Sequence, residues 1–396
     1  MIQREEYLNQ LIGFRDKQLI KVITGIRRCG KSTLLELYCN YLKEQGVESE
    51  QIISINLEDP AFHDIKEYMQ LYEHVEKNLL PDKMNYVFLD EVQNVAEFQK
   101  ACDGLFIKKN VDLYITGSNA YLLSGELATL LSGRYVEIKM LPLSFKKYVS
   151  ALGNTQDLGR KYVDYITNSA FPYVLELSSK KEIEMYLDGI YTSVVLKDIV
   201  SRKKIADVPM LENIIRFMFD NIGNPVSATR ITNSLKQTGN KISINTVEAY
   251  LQTLVDSFIL YKAQRYDIKG KQYLTTGGKY YLSDVGLRYY LLGAKKADRG
   301  HILENVVYLE LIRRGYEVHV GKVGNMEVDF IAIGEEGEEY YQVAYTVADE
   351  AVLARELNPL DGISDHNPKY LLTMDVEPFT SHNGIKQINV LDWLLK

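Results

Sequence analysis

Cysteine is scarce: Cys29, Cys39 and Cys102 form neither a CxxC pair nor a disulfide framework. A reducing cytoplasm is the expected compartment. Long apolar runs are missing as well, since no stretch approaches the ~20 residues a membrane helix requires. The N-terminus, MIQREEYLNQLIGFRDK, is charged throughout and does not read as a signal peptide, so no membrane partner is expected. Proline is limited to 9 residues, and 26 glycines exclude a collagen-like repeat. An excess of positive charge is lacking too: the formal charge of −7 argues against a protein coated in nucleic acid. What is present, 46% hydrophobic and 25% charged residues, supplies a core and excludes a disordered chain. The 396 residues predict two or three domains at roughly 100–200 residues each.

The charge is uneven. Between Pro209 and Tyr290, ten Lys/Arg stand against six acids, a local +4 that leaves −11 on the rest. A basic middle in an acidic protein suits an anionic partner; a solvated charged face is the plainer reading.

Strand patterns at Gln18–Thr24, Gln51–Asn56, Asn85–Leu89, Asp112–Thr116 and Arg134–Lys139 alternate with helical ones at Lys31–Lys43, Asp64–Leu80 and Glu97–Lys109. That alternation predicts an α/β fold with a parallel sheet covered on both faces. Residues 144–202 read as helices. Three helices then follow, starting near Met210, Ser227 and Asn245. Alternating segments Ile259–Tyr266 and Gly278–Leu282 flank a Gly/Lys-rich loop. Helix, helix, turn, helix and hairpin is the order of a winged helix. From His301 a helix leads into strands at Glu317–Val320, Glu327–Ile333 and Glu339–Thr346, a return to α/β.

The strongest motif is GIRRCGKS, Gly25 to Ser32, set between a strand and a helix. It fits GxxxxGK[ST] in its confirming context. Gly25 and Gly30 allow the tight turn that aims successive N–H groups at phosphate oxygens, and the helix start adds its dipole. Lys31 is expected to reach the β- and γ-phosphates, and Ser32, followed by Thr33, to offer a hydroxyl to Mg²⁺. Arg27, Arg28 and Cys29 complete the nucleotide loop. YVFLDE, Tyr86 to Glu91, ends a hydrophobic strand in two acids: Asp90 for Mg²⁺ and Glu91 as the base that activates the attacking water. The strand QIISIN between the two motifs marks the additional-strand branch of P-loop ATPases, which contains AAA+ proteins. In that branch the next strand tip, here ITGSN, carries a polar sensor, Ser118 or Asn119. Arg134, just before the fifth strand, reads as an arginine finger, in cis or offered across a homo-oligomer, or as a strand-end structural arginine.

GIRRCGKS, YVFLDE, TGSN and SGRYVEIKMLPLSF together resemble a prokaryotic AAA+-type P-loop ATPase family with a G-x-R-R-x-G-K-[ST] loop and a C-terminal domain of unknown function. AFPYVL (Ala170–Leu175), YTSVVLKDIV (Tyr191–Val200) and LSDVGLRYYLLG (Leu282–Gly293) extend the resemblance over nearly the whole chain. It implies an ATP-binding domain over residues 1–142, a helical lid or linker over 143–206, a winged helix over 207–298 and a restriction-endonuclease-like module over 299–396. The last resembles the PD-(D/E)XK layout, with Glu304 on the helix and Glu327 and Asp329 on a strand. Its next strand reads Gln342-Val343-Ala344, without the acid and lysine of an active site, so an inactive module is expected. Together these readings give a Mg²⁺-dependent ATP hydrolase whose partner is double-stranded DNA or a protein. The alternative is a nucleotide-gated protein-binding switch with negligible turnover and no DNA contact.

Overall fold

The computed structural model describes residues 2–118, 120, 133–153, 155–193, 199–200, 207–237, 239, 242–293, 299–376 and 380–396. The chain divides into two compact units, Met1–Pro142 with Asp256–Phe258, and Leu143–Val255 with Ile259–Lys396.

The first unit opens with α1 (Glu5–Gly13). Then follow β1 (Ile20–Thr24), α2 (Lys31–Glu44), β2 (Ile52–Asn56), α3 (Tyr68–Lys77), β3 (Asn85–Asp90), α4 (Phe98–Phe106), β4 (Val111–Gly117) and β5 (Tyr135–Lys139). The five strands are parallel and lie in the order β2-β3-β4-β1-β5. Period-two alternation explains how both faces are covered. Ile20, Val22, Val87, Leu89, Leu113 and Ile115 point to one face and form a core with residues of α3 and α4. Lys21, Phe88, Asp112 and Tyr114 point to the other. There Phe88 stacks on Tyr114 at 4.8 Å, and Tyr38 of α2 lies 5.1 Å from the Tyr114 ring. A fully buried ion pair, Lys21 with Asp112, sits beside these rings. Tyr114 donates to the second Asp112 oxygen at 2.8 Å. The helix expected from Asp64 begins at Tyr68, because Glu67 and Gln70 close a capping box there.

The second unit contains helices α5 (Phe145–Ala151), α6 (Leu158–Asn168), α7 (Lys180–Ile190), α8 (Val208–Asp220), α9 (Ala228–Gln237) and α10 (Ile244–Asp256). The hairpin β6 (Leu260–Asp267) and β7 (Gln272–Leu282) follows, then α11 (Val285–Leu292), α12 (Arg299–Arg313), β8 (Glu317–Val323), β9 (Met326–Gly334) and β10 (Gly337–Ala344). The chain ends with α13 (Glu350–Asp361), β11 (Lys369–Thr373), β12 (Thr380–His382), β13 (Ile385–Asn389) and α14 (Val390–Leu395). Its strands form one mixed sheet, β12-β13-β11-β10-β9-β8-β6-β7. The hairpin therefore shares a sheet with the terminal strands, through parallel pairing of Arg265–Asp267 with Val320–Lys322. The loop expected over Asp267–Gly278 is shorter than its glycines suggested, because β7 already pairs from Gln272. Tyr273 stabilises that pairing by packing edge-on against Tyr266 and His319, at 5.3 and 5.1 Å.

Two family motifs meet inside this unit. Asp284 of LSDVG caps α11 through the Leu287 N–H at 3.0 Å and accepts the Ala170 N–H of AFPYVL at 2.6 Å. Burial still pushes its carboxyl upward against these bonds. Gly286 is required by the same contact: a Cβ there would lie 2.4 Å from Ser169 Cα. Among the described residues no helix is long and apolar enough to cross a membrane. Gly286→Ala is expected to destabilise the protein by about 1–3 kcal/mol through overpacking, read as a lower urea midpoint; an unchanged midpoint would show that the two segments are not held this closely.

Candidate active site at the strand tips

β1 runs directly into the glycine loop, and Gly25 leaves the strand where no side chain fits: its Cβ would stand 2.1 Å from the Met140 carbonyl oxygen. Gly30 takes φ 105° as the N-cap of α2, a left-handed conformation that favours glycine. Arg28 adopts a left-handed φ of 70° and is exposed. Arg27 is half-buried and forms an ion pair with Glu58. Burial pushes the Glu58 carboxyl up, against the pull of Arg27. Cys29 is fully buried under the loop; burial raises its thiol, so it is a packing residue and not a nucleophile.

Lys31, 4% exposed, donates to the Gly25 carbonyl at 3.0 Å and lies 3.7 Å from a Glu91 carboxylate oxygen. Ser32 opens α2 on its exposed side. It lines a cavity of about 500 Å³ with Glu36, Cys39, Lys43, Asn56 and Asp90. Thr33 follows, half-buried. Asp90 and Glu91 are both buried at 6% exposure.

Thr116, at the tip of β4, joins the two acids. Its hydroxyl donates to Asp90 Oδ1 and accepts the Glu91 backbone N–H at 3.0 Å. Glu91 itself stands in the left-handed region, φ 52° and ψ 47°, a cost a non-glycine residue sustains only where its surroundings enforce it. Gln93 completes the set by donating to Glu91 Oε2 at 2.5 Å and to Ser118 Oγ at 3.5 Å. Ser118 is therefore in the site; Asn119 lies outside the described residues.

Arg134 is not brought to this edge. It precedes Tyr135, which pairs with Ile20 at the start of β1, whereas the glycine loop follows the end of that strand. Its guanidinium pairs with Asp103 and lies 5.5 Å from the Phe106 ring centroid.

Arg4 also had no signal in the sequence. Buried at 3% exposure, it donates to the Cys29 carbonyl at 3.2 Å and to the Leu141 carbonyl at 2.6 Å, tying the loop to the segment after β5. Thr116 and Gln93 likewise stand in no motif of their own. Only the position of ITGSN at a strand tip pointed towards Thr116.

A loop too tight for a Cβ, a buried ammonium, a helix start, and a hydroxyl and carboxylate on one cavity are together a donor set that suits a Mg²⁺–phosphate ligand. Among the described residues no group of three or more His, Cys, Asp or Glu is arranged to hold a metal.

Residues 17–149 match the model of an AAA domain, and residues 159–298 that of a domain of unknown function. An uncharacterized protein of Haemophilus influenzae is 42% identical over 400 residues, covering 100% of this chain and 99% of the relative. An uncharacterized protein of Methanocaldococcus jannaschii is 31% identical over 357 residues, 82% of this chain and 74% of the relative. A Walker-type ATPase of Pyrococcus abyssi superposes with a TM-score of 0.51 at 14% identity, over 74% of this chain and 96% of its own, a likeness of fold.

Thr116→Val would leave the Glu91 N–H without its acceptor and Asp90 without its donor. The expected loss is about 1–3 kcal/mol, measured by urea unfolding. Unchanged stability would show that the hydroxyl does not hold the acids.

Proposed function

The chain belongs to one family with these bacterial and archaeal proteins, with an AAA domain at residues 17–149, and from that premise we propose that it is a Mg²⁺-dependent ATP hydrolase. The observation that carries this reading is the buried meeting of Lys31, Asp90, Glu91 and Thr116 beside the glycine loop. The loop N–H groups and Lys31 hold the phosphates. Ser32 and Asp90 hold Mg²⁺, which supplies charge stabilisation at phosphate oxygens when bound. Glu91 accepts the proton of the attacking water, and its oriented side chain is what a pure nucleotide binder does not require. Gln93 holds that carboxylate and the Thr116 hydroxyl holds the Glu91 backbone, and Ser118 or Asn119 acts as the polar sensor. The pairing of Arg134 with Asp103, at the far end of β1 from the loop, favours its strand-end structural role.

The partner in this reading is duplex DNA. The +4 charge of Pro209–Tyr290 and the exposed Lys269 and Lys271 in the β6–β7 turn support it. α8, α9 and α10 followed by this hairpin keep the order of a winged helix. The exposed Glu248 and Gln252 on α10 offer no basic surface, so contact is through phosphates and carries little sequence preference. ATP turnover changes how this region engages DNA. α12 with β8–β10 has the element order of a nuclease-like module, but Gln342 and Ala344 leave it without cleavage activity.

Glu91→Gln is expected to lower steady-state turnover roughly 10²–10⁴-fold while ATP affinity is kept; wild-type turnover in this variant would remove Glu91 as the base. In gel shifts, binding to duplex should fall steeply with added salt. Lys269→Glu with Lys271→Glu should weaken binding on all sequences alike. No shift at low salt would favour a protein partner and the switch reading.

A further inference from the structure

The second unit brings together three carboxylates from two elements: Glu304 on α12, and Glu327 and Asp329 on β9. Lys279 enters between them from β7. Its ammonium nitrogen lies 2.8 Å from Glu304 Oε1, 2.8 Å from Glu327 Oε1 and 3.7 Å from Asp329 Oδ1. The lysine is 3% exposed, and Glu304 and Asp329 are buried with it. Tyr281, on the same face of β7, donates to Glu304 Oε1 at 2.5 Å. His301 lies 3.5 Å from the other Glu304 oxygen.

Gln342 cannot stand in for the missing acid without giving up its own bonds. Its amide donates to Glu356 at 2.8 Å and accepts the Asp329 N–H at 3.3 Å. The free oxygen of Asp329 accepts the Val343 N–H at 2.9 Å.

The charges do not balance: three carboxylates surround one ammonium. Burial, reinforced by Glu304, pushes the Asp329 carboxyl up to about 7. Lys279 holds Glu304 below the usual carboxylate range despite burial, and the acids keep Lys279 firmly protonated despite its own. The ammonium therefore has a strong hold on the cluster.

We propose that Lys279 is the built-in cation of this cluster, its ammonium filling the place a divalent ion would need among Glu304, Glu327 and Asp329. A bridging divalent ion requires these oxygens at about 2.0–2.6 Å. An ammonium already seated between them leaves no room, and its charge repels a second cation at contact distance. The lysine cannot yield easily, because withdrawing it would leave buried carboxylates uncompensated. With the ammonium seated among them the three acids are not arranged to hold a metal, and the same ammonium ties the hairpin to α12 and β9. The inference concerns this unit alone and does not depend on the nucleotide reading.

The test is thermal unfolding of the full chain in EDTA and in millimolar Mn²⁺, for wild type and Lys279→Met. Wild type should show no Mn²⁺-dependent rise in Tm that Glu304→Gln removes. Lys279→Met should melt lower in EDTA and recover by several degrees in Mn²⁺, and adding Glu304→Gln should abolish the recovery. Lack of any Mn²⁺ response in Lys279→Met would overturn the claim that the ammonium occupies a cation position. Should that variant not fold, Mn²⁺ binding to wild type and Glu304→Gln, followed by electron paramagnetic resonance, decides it. Equal stoichiometry supports the built-in cation, and one ion lost in Glu304→Gln overturns it.

Discussion

Backbone pairing of β1 with β4, and of β4 with β3, sets the spacing between the glycine loop and the two acids. Adjacent strands lie about 4.8 Å apart, so the loop after β1 and the acids after β3 are separated by the width of β4. The residue at that intervening tip is Thr116, and its hydroxyl bonds Asp90 on one side and the Glu91 N–H on the other. Lys31 closes the remaining gap from the helix side. Because all five strands run the same way, every one of these groups arrives at the same edge without a long connection. Reversing one strand would move its tip to the edge where Arg134 pairs with Asp103.

Both units handle buried charge by supplying a lysine from a different element of the same unit. In the first, Lys21 and Asp112 form a one-to-one pair, extended by Tyr114 and Tyr38. Burial lowers Lys21 and raises Asp112, each against the attraction of the other. Breaking such a pair leaves an uncompensated buried charge, so its role is to hold β1 and β4 in one arrangement more than to add net stability. In the second unit three carboxylates share Lys279, and the unequal ratio is what gives that cluster its cation-holding character. Tyrosine, 29 residues in this chain, serves both units, since Tyr114 and Tyr281 donate hydroxyls to the acids beside the two lysines.

The parts written in local spacing were legible before the structure: the glycine loop, Lys31, the two acids of YVFLDE, and the alternation of strands with helices. Each depends on contacts within a few residues or on a period of two or 3.6. Contacts between distant positions were not legible. Arg4 reaches Leu141 across the unit, and Thr116 reaches Asp90 from another strand; nothing in their neighbours marks them. Lys279 escaped for a further reason. The nuclease-like pattern puts its ammonium beside Gln342, at the position of Ala344, but a sheet can deliver it from any strand that crosses the same helix. The glycines of YLTTGGKYYL suggested a loop, whereas Gly277 and Gly278 lie within an edge strand. There a Cβ on Gly278 would press to 2.9 Å of the Ala263 carbonyl oxygen.

The central claim is that this strand-tip edge binds ATP through Lys31. Calorimetric titration of ATP with Mg²⁺ into wild-type protein and into Lys31→Ala tests it most directly. The account predicts a saturable one-to-one isotherm for the wild type and its loss in Lys31→Ala, with both proteins unfolding cooperatively. Equal affinity in the two proteins would contradict it, because the buried ammonium beside the glycine loop would then have no part in holding the phosphates.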